Sequence, residues 1–224
     1  MTLKVKSFSI AQPHPYGKKE KLILEAARRR FAHYGFSKVT MEEVAEDIGV
    51  VKGSIYYYFP TKESLFGAVI REEQKQFARE INELSEAERS YAELVHRYVE
   101  KRQQFFRELV NLSRLDYQSW TSMKSTFRDL FKNFEHQELA FLQRVFQEGH
   151  TSGEFLACDS RRTAILLLHA LQGLYLRTTR EADNSQLDKK TYSQLDMETR
   201  DFAEVFVRGI RPSTQYKRTK HENR

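Results

Sequence analysis

The sequence predicts an all-α protein. Apolar residues recur three and four positions apart along most of the chain, which is the period of an amphipathic helix. Only four prolines and nine glycines interrupt the 224 residues, so long helices can form without breaks. No run alternates apolar and polar residues between turn signals, as a half-buried strand would. We therefore expect roughly nine helices and no sheet.

Residues 1–17 form the first predicted segment, a flexible arm. They contain Pro13 and Pro15 and show no helical period. Such arms are usually inert, although some insert into the minor groove of DNA. The inert interpretation is the one that the composition favours.

Residues 18–64 predict three short helices. The first runs from Lys18 to Tyr34 and ends at a glycine. The second begins after Thr40, because Glu43 three positions later completes a capping box. Gly49 then supplies the backbone freedom for a sharp turn.

The third helix covers residues 52–59 and stops before Pro60. Two short helices joined by a tight turn are the layout of a helix-turn-helix, whose second helix enters the major groove of DNA. A net charge of +6 and a pI of about 9.3 suit a nucleic-acid partner. The sequence therefore predicts binding to double-stranded DNA.

Residues 65–211 predict a larger helical domain. Thr61 caps its first helix and Asp159 caps a later one. Residues 212–224 read as a basic, disordered tail. The predicted helices of this domain cover about 62–84, 87–112, 115–120, 123–148, 160–181 and 191–210.

The first helix and the helix-turn-helix resemble the DNA-binding signature of the TetR (tetracycline-repressor) family of bacterial regulators. One departure is Val51, where the family usually has a small hydroxyl residue; valine is a poor helix cap, at a cost on the order of 1 kcal/mol. The resemblance implies a DNA-binding head followed by a body that binds an effector and dimerises. The positions that carry it are Ile23, Leu24, Glu25, Ala26, Ala27, Phe31, Gly35, Phe36, Thr40, Val44, Ala45, Gly49, Val50, Gly53, Ile55, Tyr56, Tyr58, Phe59, Lys62 and Leu65.

The expected DNA contacts lie on and beside the third helix. The resemblance implies that Thr40, Tyr58 and Lys62 bind phosphates. It also implies that Lys52, Ser54 and Tyr57 face the groove. By their chemistry, lysine can bond guanine edges or phosphates, and hydroxyl groups mostly bond phosphates. The role of Tyr56 stays open, since it could pack on the first helix instead. The full set of candidates is Thr40, Lys52, Gly53, Ser54, Tyr56, Tyr57, Tyr58 and Lys62.

Large aromatic residues in the body suggest a cavity for a small apolar or aromatic effector. The alternative is an ordinary helical core, and for any single residue that alternative is the commoner one. His169 is expected to be a hydrogen-bonded core or pocket residue. The candidates are Phe105, Leu109, Tyr117, Trp120, Phe127, Phe131, Phe134, His169 and Tyr175.

The predicted helix 160–181 is apolar almost all round, so it must be covered on more than one side. A second copy of the chain would cover the side away from the core, which predicts a two-fold symmetric homodimer. Burial within the monomer is the alternative. The candidates for the dimer interface are Leu167, Leu171, Leu174, Phe202 and Phe206.

No catalytic constellation stands out, so an enzyme is disfavoured and no cofactor is expected. The histidines are scattered, which argues against a metal site. The single Cys158 leaves no internal disulfide and fits the reducing cytoplasm. The longest apolar stretch, residues 164–176, is too short to span a membrane.

The sequence thus predicts a cytoplasmic, dimeric, ligand-responsive regulator of transcription, most simply a repressor released from a near-palindromic operator by its effector. A DNA-bound protein-interaction factor of the same fold, without an effector, is the alternative.

Overall fold

The computed structural model describes residues 3, 7–10, 16–113, 117–181 and 189–212; the side chains at 109–128, 179–181 and 189 lie outside the described part. The described residues form eight helices and no strand, which confirms the all-α fold class. The helices are α1 (Lys18–Tyr34), α2 (Met41–Asp47), α3 (Lys52–Tyr58), α4 (Lys62–Ala87), α5 (Tyr91–Ser113), α6 (Tyr117–Thr151), α7 (Ser160–Glu181) and α8 (Lys189–Ile210).

The middle of the chain differs from the predicted helices. The sequence suggests separate helices at 115–120 and 123–148, whereas the structure has the single helix α6 over this region. The polar residues Thr121 and Ser122 interrupt the apolar pattern, but no proline or glycine lies between 117 and 148. A change of pattern alone does not end a helix, because the backbone hydrogen bonds continue until a residue removes a donor or prefers another conformation.

Helices α2, α4 and α7 begin with side-chain caps at the predicted residues. Oγ1 of Thr40 accepts from the backbone of Glu43 at 3.3 Å, while Oε2 of Glu43 accepts from the backbone of Thr40 at 2.8 Å. Thr61 and Asp159 each accept from the third backbone N–H of their helix, both at 3.0 Å. Helix α3 begins after Val51 without a side-chain cap, so its start depends on packing.

Two compact units divide the chain. The head unit comprises residues 9–79 and 104–136, and the body unit comprises residues 1–8, 80–103 and 137–224. Helices α4, α5 and α6 contribute residues to both units.

The head unit has an aromatic core. The ring of Phe31 on α1 lies 5.8 Å from that of Phe36 and 4.9 Å from that of Phe66 on α4, and all three rings are buried. Gly35 ends α1 with a φ of 81°, a conformation that glycine adopts without strain, and this brings Phe36 to Phe31. Helix α1 packs against α2, and α2 packs against α3.

The body unit takes its core from α5–α8. The ring of Phe146 on α6 contacts those of Phe155 and Phe206, at 5.9 and 6.1 Å. Leu195 and Val207 of α8 are buried, and α7 packs against α8. Such rings and aliphatic side chains supply most of the free energy that holds a helical core together.

The arm is more ordered at Phe8 than its composition predicts. The Phe8 ring is buried and lies edge-on to Phe141 at 5.9 Å. Its backbone N–H donates to Oδ1 of Asn82 at 2.6 Å, and the Asn82 amide donates to the Phe8 carbonyl at 2.9 Å. A single aromatic residue with a matching amide can fix an otherwise irregular segment, and this is a tertiary effect that local composition does not encode.

Gly149, Glu154 and Phe155 have structural roles at the end of α6 and in the turn that follows it. A Cβ on Gly149 would lie only 2.3 Å from the ring of Phe155, so glycine is required for that ring to be buried. Glu154 accepts from the backbone N–H groups of Tyr91 and Ala92 at 2.8 and 2.9 Å. Its carboxylate thereby caps the start of α5, where negative charge is favourable.

The exposed leucines of helix α7 are not the ones that the sequence suggests for a dimer interface. Leu167 and Leu171 are buried in the core of the body unit, whereas Leu166 is 54% exposed and Leu176 is also exposed. His169 is exposed as well, so it is not a core residue, and its place in an effector pocket stays a prediction. In a helix that is apolar all round, composition does not tell the two sides apart, because the packing partner decides which one is inside.

Helix α8 shows the same pattern. Phe202 and Phe206 are half-buried, with ring centroids 5.7 Å apart. Val205, which lies between them in sequence, is 70% exposed, and Met197 is exposed too. Leu174 of α7 is half-buried.

Candidate nucleic-acid interface

Helix α3 buries one face and exposes the other. Ile55 is fully buried, and Phe59, four residues later, is buried just after the helix ends. Tyr57 is 82% exposed, and Tyr58, half-buried, meets it edge-on at 5.0 Å. Because residues four apart share a helix face, the contacts of Ile55 and Phe59 leave the opposite face of α3 without a role in the core.

Gly53 is not required by the fold. It lies exposed within the first turn of α3, and no atom of the described residues comes within 4 Å of the place where a Cβ would be. It is not among the glycines with positive φ. Glycine inside a helix costs about 1 kcal/mol relative to alanine. The chain therefore carries a destabilising residue at a position where its own packing offers no reason for one.

Lys52, at the start of α3, has partners within the protein. Its ammonium group pairs with Glu42 of α2 and lies 5.4 Å from the ring centroid of Tyr56. Both charged side chains are about half exposed, and such surface pairs contribute roughly 0–1 kcal/mol. A phosphate or a base edge could replace the carboxylate of Glu42 with little loss of stability.

Lys62 has a role that the sequence does not suggest. Its ammonium group donates to the carbonyl oxygens of Phe36 and Val39, each at 3.0 Å, and lies 4.5 Å from the Phe36 ring centroid. The side chain thus ties the start of α4 to the turn between α1 and α2. Its expected contact with a phosphate stays a prediction.

An ion-pair network fixes α1 against α2. Arg30 donates from Nε and Nη2 to the two carboxylate oxygens of Asp47, at 2.6 and 2.8 Å, and approaches Glu43 at 3.3 Å. The hydrogen bond from Arg30 lowers the pKa of Asp47, and the hydrogen bonds from Thr40 lower the pKa of Glu43. Both carboxylates therefore stay ionised at neutral pH, and the network holds the helix that precedes α3.

The candidate effector residues fall in both units. In the head unit, the buried rings of Phe105 and Phe134 stack at 5.1 Å, and Phe77 lies 4.9 Å from Phe105. Phe131 is half-buried. In the body unit, burial raises the pKa of Tyr175 above its usual value. The side chains of Leu109, Tyr117, Trp120 and Phe127 lie outside the described part.

A buried polar cluster in the body unit was not predicted. The hydroxyl of Tyr98 and Nε of Arg102 both donate to Oε1 of Glu138, at 2.5 and 2.8 Å. The sequence does carry a signal for it. Glu138 lies four residues after Phe134 and three before Phe141, which is the spacing of a core-facing stripe. A carboxylate at such a position must find partners inside the protein.

No three His, Cys, Asp or Glu side chains stand together as a metal-binding group within residues that the structure describes. In the same part of the chain, no helix combines the length and apolar character needed to cross a bilayer.

Comparison with known proteins places the chain among bacterial regulators. Residues 23–69 match a family model described as bacterial regulatory proteins of the tetR family. The chain is 36% identical to a transcriptional regulator from Cytophaga hutchinsonii, with a TM-score of 0.82 over 88% of this chain and 100% of the other. It is 29% identical to the uncharacterised HTH-type transcriptional regulator YhgD of Bacillus subtilis, over 79% of this chain and 92% of the relative.

The fold also matches more distant structures. The regulator FadR from Bacillus subtilis, solved in complex with stearoyl-CoA, has a TM-score of 0.61 at 20% identity, over 85% of this chain and 98% of the other. At that identity the likeness concerns the fold alone.

Proposed function

Because the chain belongs to the TetR family of bacterial transcriptional regulators, we propose that it is a ligand-responsive repressor whose helix α3 enters the major groove of a near-palindromic operator. The observation that carries this proposal is the exposed face of α3, where glycine, lysine and two tyrosines stand without a role in the core. The packing of α3 does not need these four residues, whereas a DNA-reading helix presents such a face to the groove.

The proposed contacts follow from exposure and chemistry. Lys52 and Tyr57 are exposed and can reach base edges, together with the half-buried Ser54. Thr40 and Tyr58 would bind phosphates and set the register of the helix. The ammonium group of Lys52 lies over the ring of the partly exposed Tyr56. Tyr56 would therefore act indirectly, by positioning Lys52.

Gly53 supports close approach of DNA to α3. Since nothing in the protein fills the space beside it, the absence of a side chain is best explained by a partner that comes there. A DNA backbone that packs against the first turn of α3 would be displaced by even one methyl group.

TetR-family regulators dimerise, and we propose that this chain does so through the exposed apolar side chains of α7 and α8. Leu166 on α7, and Met197 and Val205 on α8, are exposed in the single chain. A two-fold axis would place each set against its own copy. Two heads joined in this way would read two half-sites about one helical turn apart, roughly 34–36 Å.

The effector is proposed to be a small, largely apolar molecule bound by residues of the helical domain. FadR, which shares this fold, was solved with stearoyl-CoA, and a regulator from Saccharomonospora viridis was solved with choline. These structures support the class of mechanism but not a particular ligand. Binding would favour a spacing of the heads that fits the operator less well.

The experiment uses an operator selected from random duplex DNA with the purified protein. Gly53→Ala should weaken binding to the selected operator by about 1–3 kcal/mol, while the free energy of unfolding stays equal or rises by up to about 1 kcal/mol. Gly209→Ala is the matched control, because Gly209 is also exposed and helical with open space beside it. Equal operator affinity for the wild type and Gly53→Ala would contradict the proposed docking of α3.

A further inference from the structure

The polar cluster in the body unit is satisfied on one side only. Tyr98 and Arg102 both donate to Oε1 of Glu138, at 2.5 and 2.8 Å. The other carboxylate oxygen, Oε2, is buried, and none of the described residues donates a hydrogen bond to it. Glu138 as a whole is 1% exposed.

A second buried polar pair in the same unit, unlike Glu138, has hydrogen-bond partners for its groups. The amide of Gln103 donates to Oγ1 of Thr199, whose hydroxyl donates in turn to the carbonyl of Leu195 at 2.6 Å. Those buried groups form a closed chain of hydrogen bonds. Buried acceptors nearly always have a donor, so an ionised oxygen without one requires an explanation.

The charges of the cluster indicate what kind of donor is missing. Burial lowers the pKa of Arg102 and the carboxylate of Glu138 raises it, with a net upward shift, so the guanidinium stays charged and neutralises Glu138. Burial raises the pKa of Tyr98 well above its usual value, so its hydroxyl is neutral. An ammonium group added here would bring an uncompensated positive charge, and a carboxylate would face an oxygen of like charge. A neutral hydroxyl group adds a donor and no charge.

Aromatic rings lie beside the members of this cluster. Phe141, on the helix turn after Glu138, lies 5.8 Å from the ring of Tyr98 and is buried. Tyr175 of α7 lies close enough to Arg102 for the guanidinium to act on its phenol electrostatically. The cluster thus combines a charged acceptor with ring faces, which is the usual composition of a ligand site.

We propose that Oε2 of Glu138 is the anchor for the effector, and that the effector is a neutral molecule with an apolar body and a hydroxyl group. The proposal rests on the proposed function, since it names the chemistry of the ligand to which the regulator responds. It places the hydroxyl group of the ligand at Oε2, on the side of the carboxylate away from the bonds of Tyr98 and Arg102 to Oε1.

The test uses two probes that share one apolar body: 3-phenylpropan-1-ol, which donates a hydrogen bond, and its methyl ether, which does not. Binding to the full-length protein is measured by calorimetry. The alcohol should bind about tenfold or more tightly than the ether, because a hydrogen bond to a charged oxygen is among the stronger ones. The ammonium and carboxylate analogues should bind more weakly than the alcohol.

Glu138→Gln gives the decisive comparison. Tyr98 and Arg102 would hold the amide oxygen at the place of Oε1, so the amide N–H₂ takes the place of Oε2 and the acceptor becomes a donor. The preference for the alcohol over the ether should then fall to about one. Tyr98→Phe is the control, since it leaves Oε2 unchanged and should keep the preference. If Glu138→Gln does not fold, the double variant Arg102→Gln with Glu138→Gln removes the unbalanced charge and tests the same reversal.

Three results would overturn the proposal: no binding of any probe, equal binding of alcohol and ether to the wild type, or an unchanged preference in Glu138→Gln. Each of them would show that Oε2 does not select a hydroxyl group. Operator binding measured in parallel separates this inference from the proposed function. If some compounds release the protein from DNA and Glu138→Gln does not change their effect, the proposed function stands and the role of Glu138 is wrong. If the probes bind through Glu138 without changing operator affinity, Glu138 binds a ligand but the proposed response to that ligand is wrong.

Discussion

The two units of this protein use charged pairs in opposite ways. In the head unit, Lys52 and Glu42 form a pair whose side chains are about half exposed. In the body unit, Arg102 and Glu138 form a pair that is almost fully buried, with Tyr98 as a third member. The first pair can be exchanged for other partners, and the second cannot be opened without leaving a charge inside the protein.

The difference follows from the surroundings of the charges. At the surface, water and salt screen the attraction, so a pair contributes roughly 0–1 kcal/mol and its members can turn toward a ligand. In the interior, both charges have lost their water, so removal of one partner is severe even where the pair adds little net stability. The pair in the head can therefore exchange partners at little cost, and the body keeps a fixed polar cluster among its core side chains.

Arg102→Met should show the largest effect, because it leaves the buried Glu138 without its cation. We expect the free energy of unfolding to fall by about 3–5 kcal/mol. Arg208→Met is the matched control, since Arg208 pairs with Glu204 at the surface and its loss should cost less than about 1 kcal/mol. Urea denaturation of both variants measures the difference. Adding Glu138→Leu to Arg102→Met should recover most of the loss, and no recovery would show that the damage is due to packing.

Leu167→Ala and Leu166→Ala compare neighbouring positions on α7. Leu167 is fully buried, so its truncation should cost about 2–5 kcal/mol at any protein concentration. Leu166 is exposed in the single chain, so its truncation should have little effect on the monomer and should weaken dimerisation. Sedimentation and urea denaturation at several protein concentrations separate the two effects. Equal, concentration-independent losses would place the dimer interface elsewhere.

The head shows what the sequence could predict. The caps at Thr40 and Thr61 and the stop at Gly35 depend on residues within a few positions of one another, and the structure confirms them. The absence of a side-chain cap at Val51 is equally local, and it too is confirmed. The geometry of a cap or a stop depends only on residues close in sequence, so the sequence alone can predict it.

The body shows what the sequence could not. On α7, Leu167 and Leu166 differ only in which packing partner they meet, and an all-apolar helix does not encode that. The anchoring of Phe8 depends on Asn82, 74 residues away. Glu138 was detectable in principle as a charge on an apolar stripe, but its partners come from another helix. Contacts between distant segments, rather than local propensity, decided each of these cases.

Lys62→Met separates the two roles of Lys62. The carbonyl groups of Phe36 and Val39 would lose their donor, so the free energy of unfolding should fall by about 1–3 kcal/mol. Glu63→Met is the control, because it alters the adjacent, exposed residue. If Lys62 also binds a phosphate, the slope of log affinity for DNA against log salt should flatten by about one unit. A loss of stability with an unchanged slope would limit Lys62 to the structural role.

Glu42→Gln should produce the smallest effect, and in the opposite direction. If Lys52 binds DNA as proposed, the carboxylate of Glu42 competes with DNA for it, so removal of that carboxylate should raise affinity for the operator by up to about 1 kcal/mol, or roughly fivefold. Glu46→Gln controls for net charge, since Glu46 is exposed on the same helix. In a double-mutant cycle the gain should disappear when Lys52 is alanine, because the competition requires both side chains. Both glutamine variants could instead raise affinity equally, with Lys52 or with alanine in its place. That result would show that only net charge matters, and that the ion pair of Glu42 with Lys52 does not limit DNA binding.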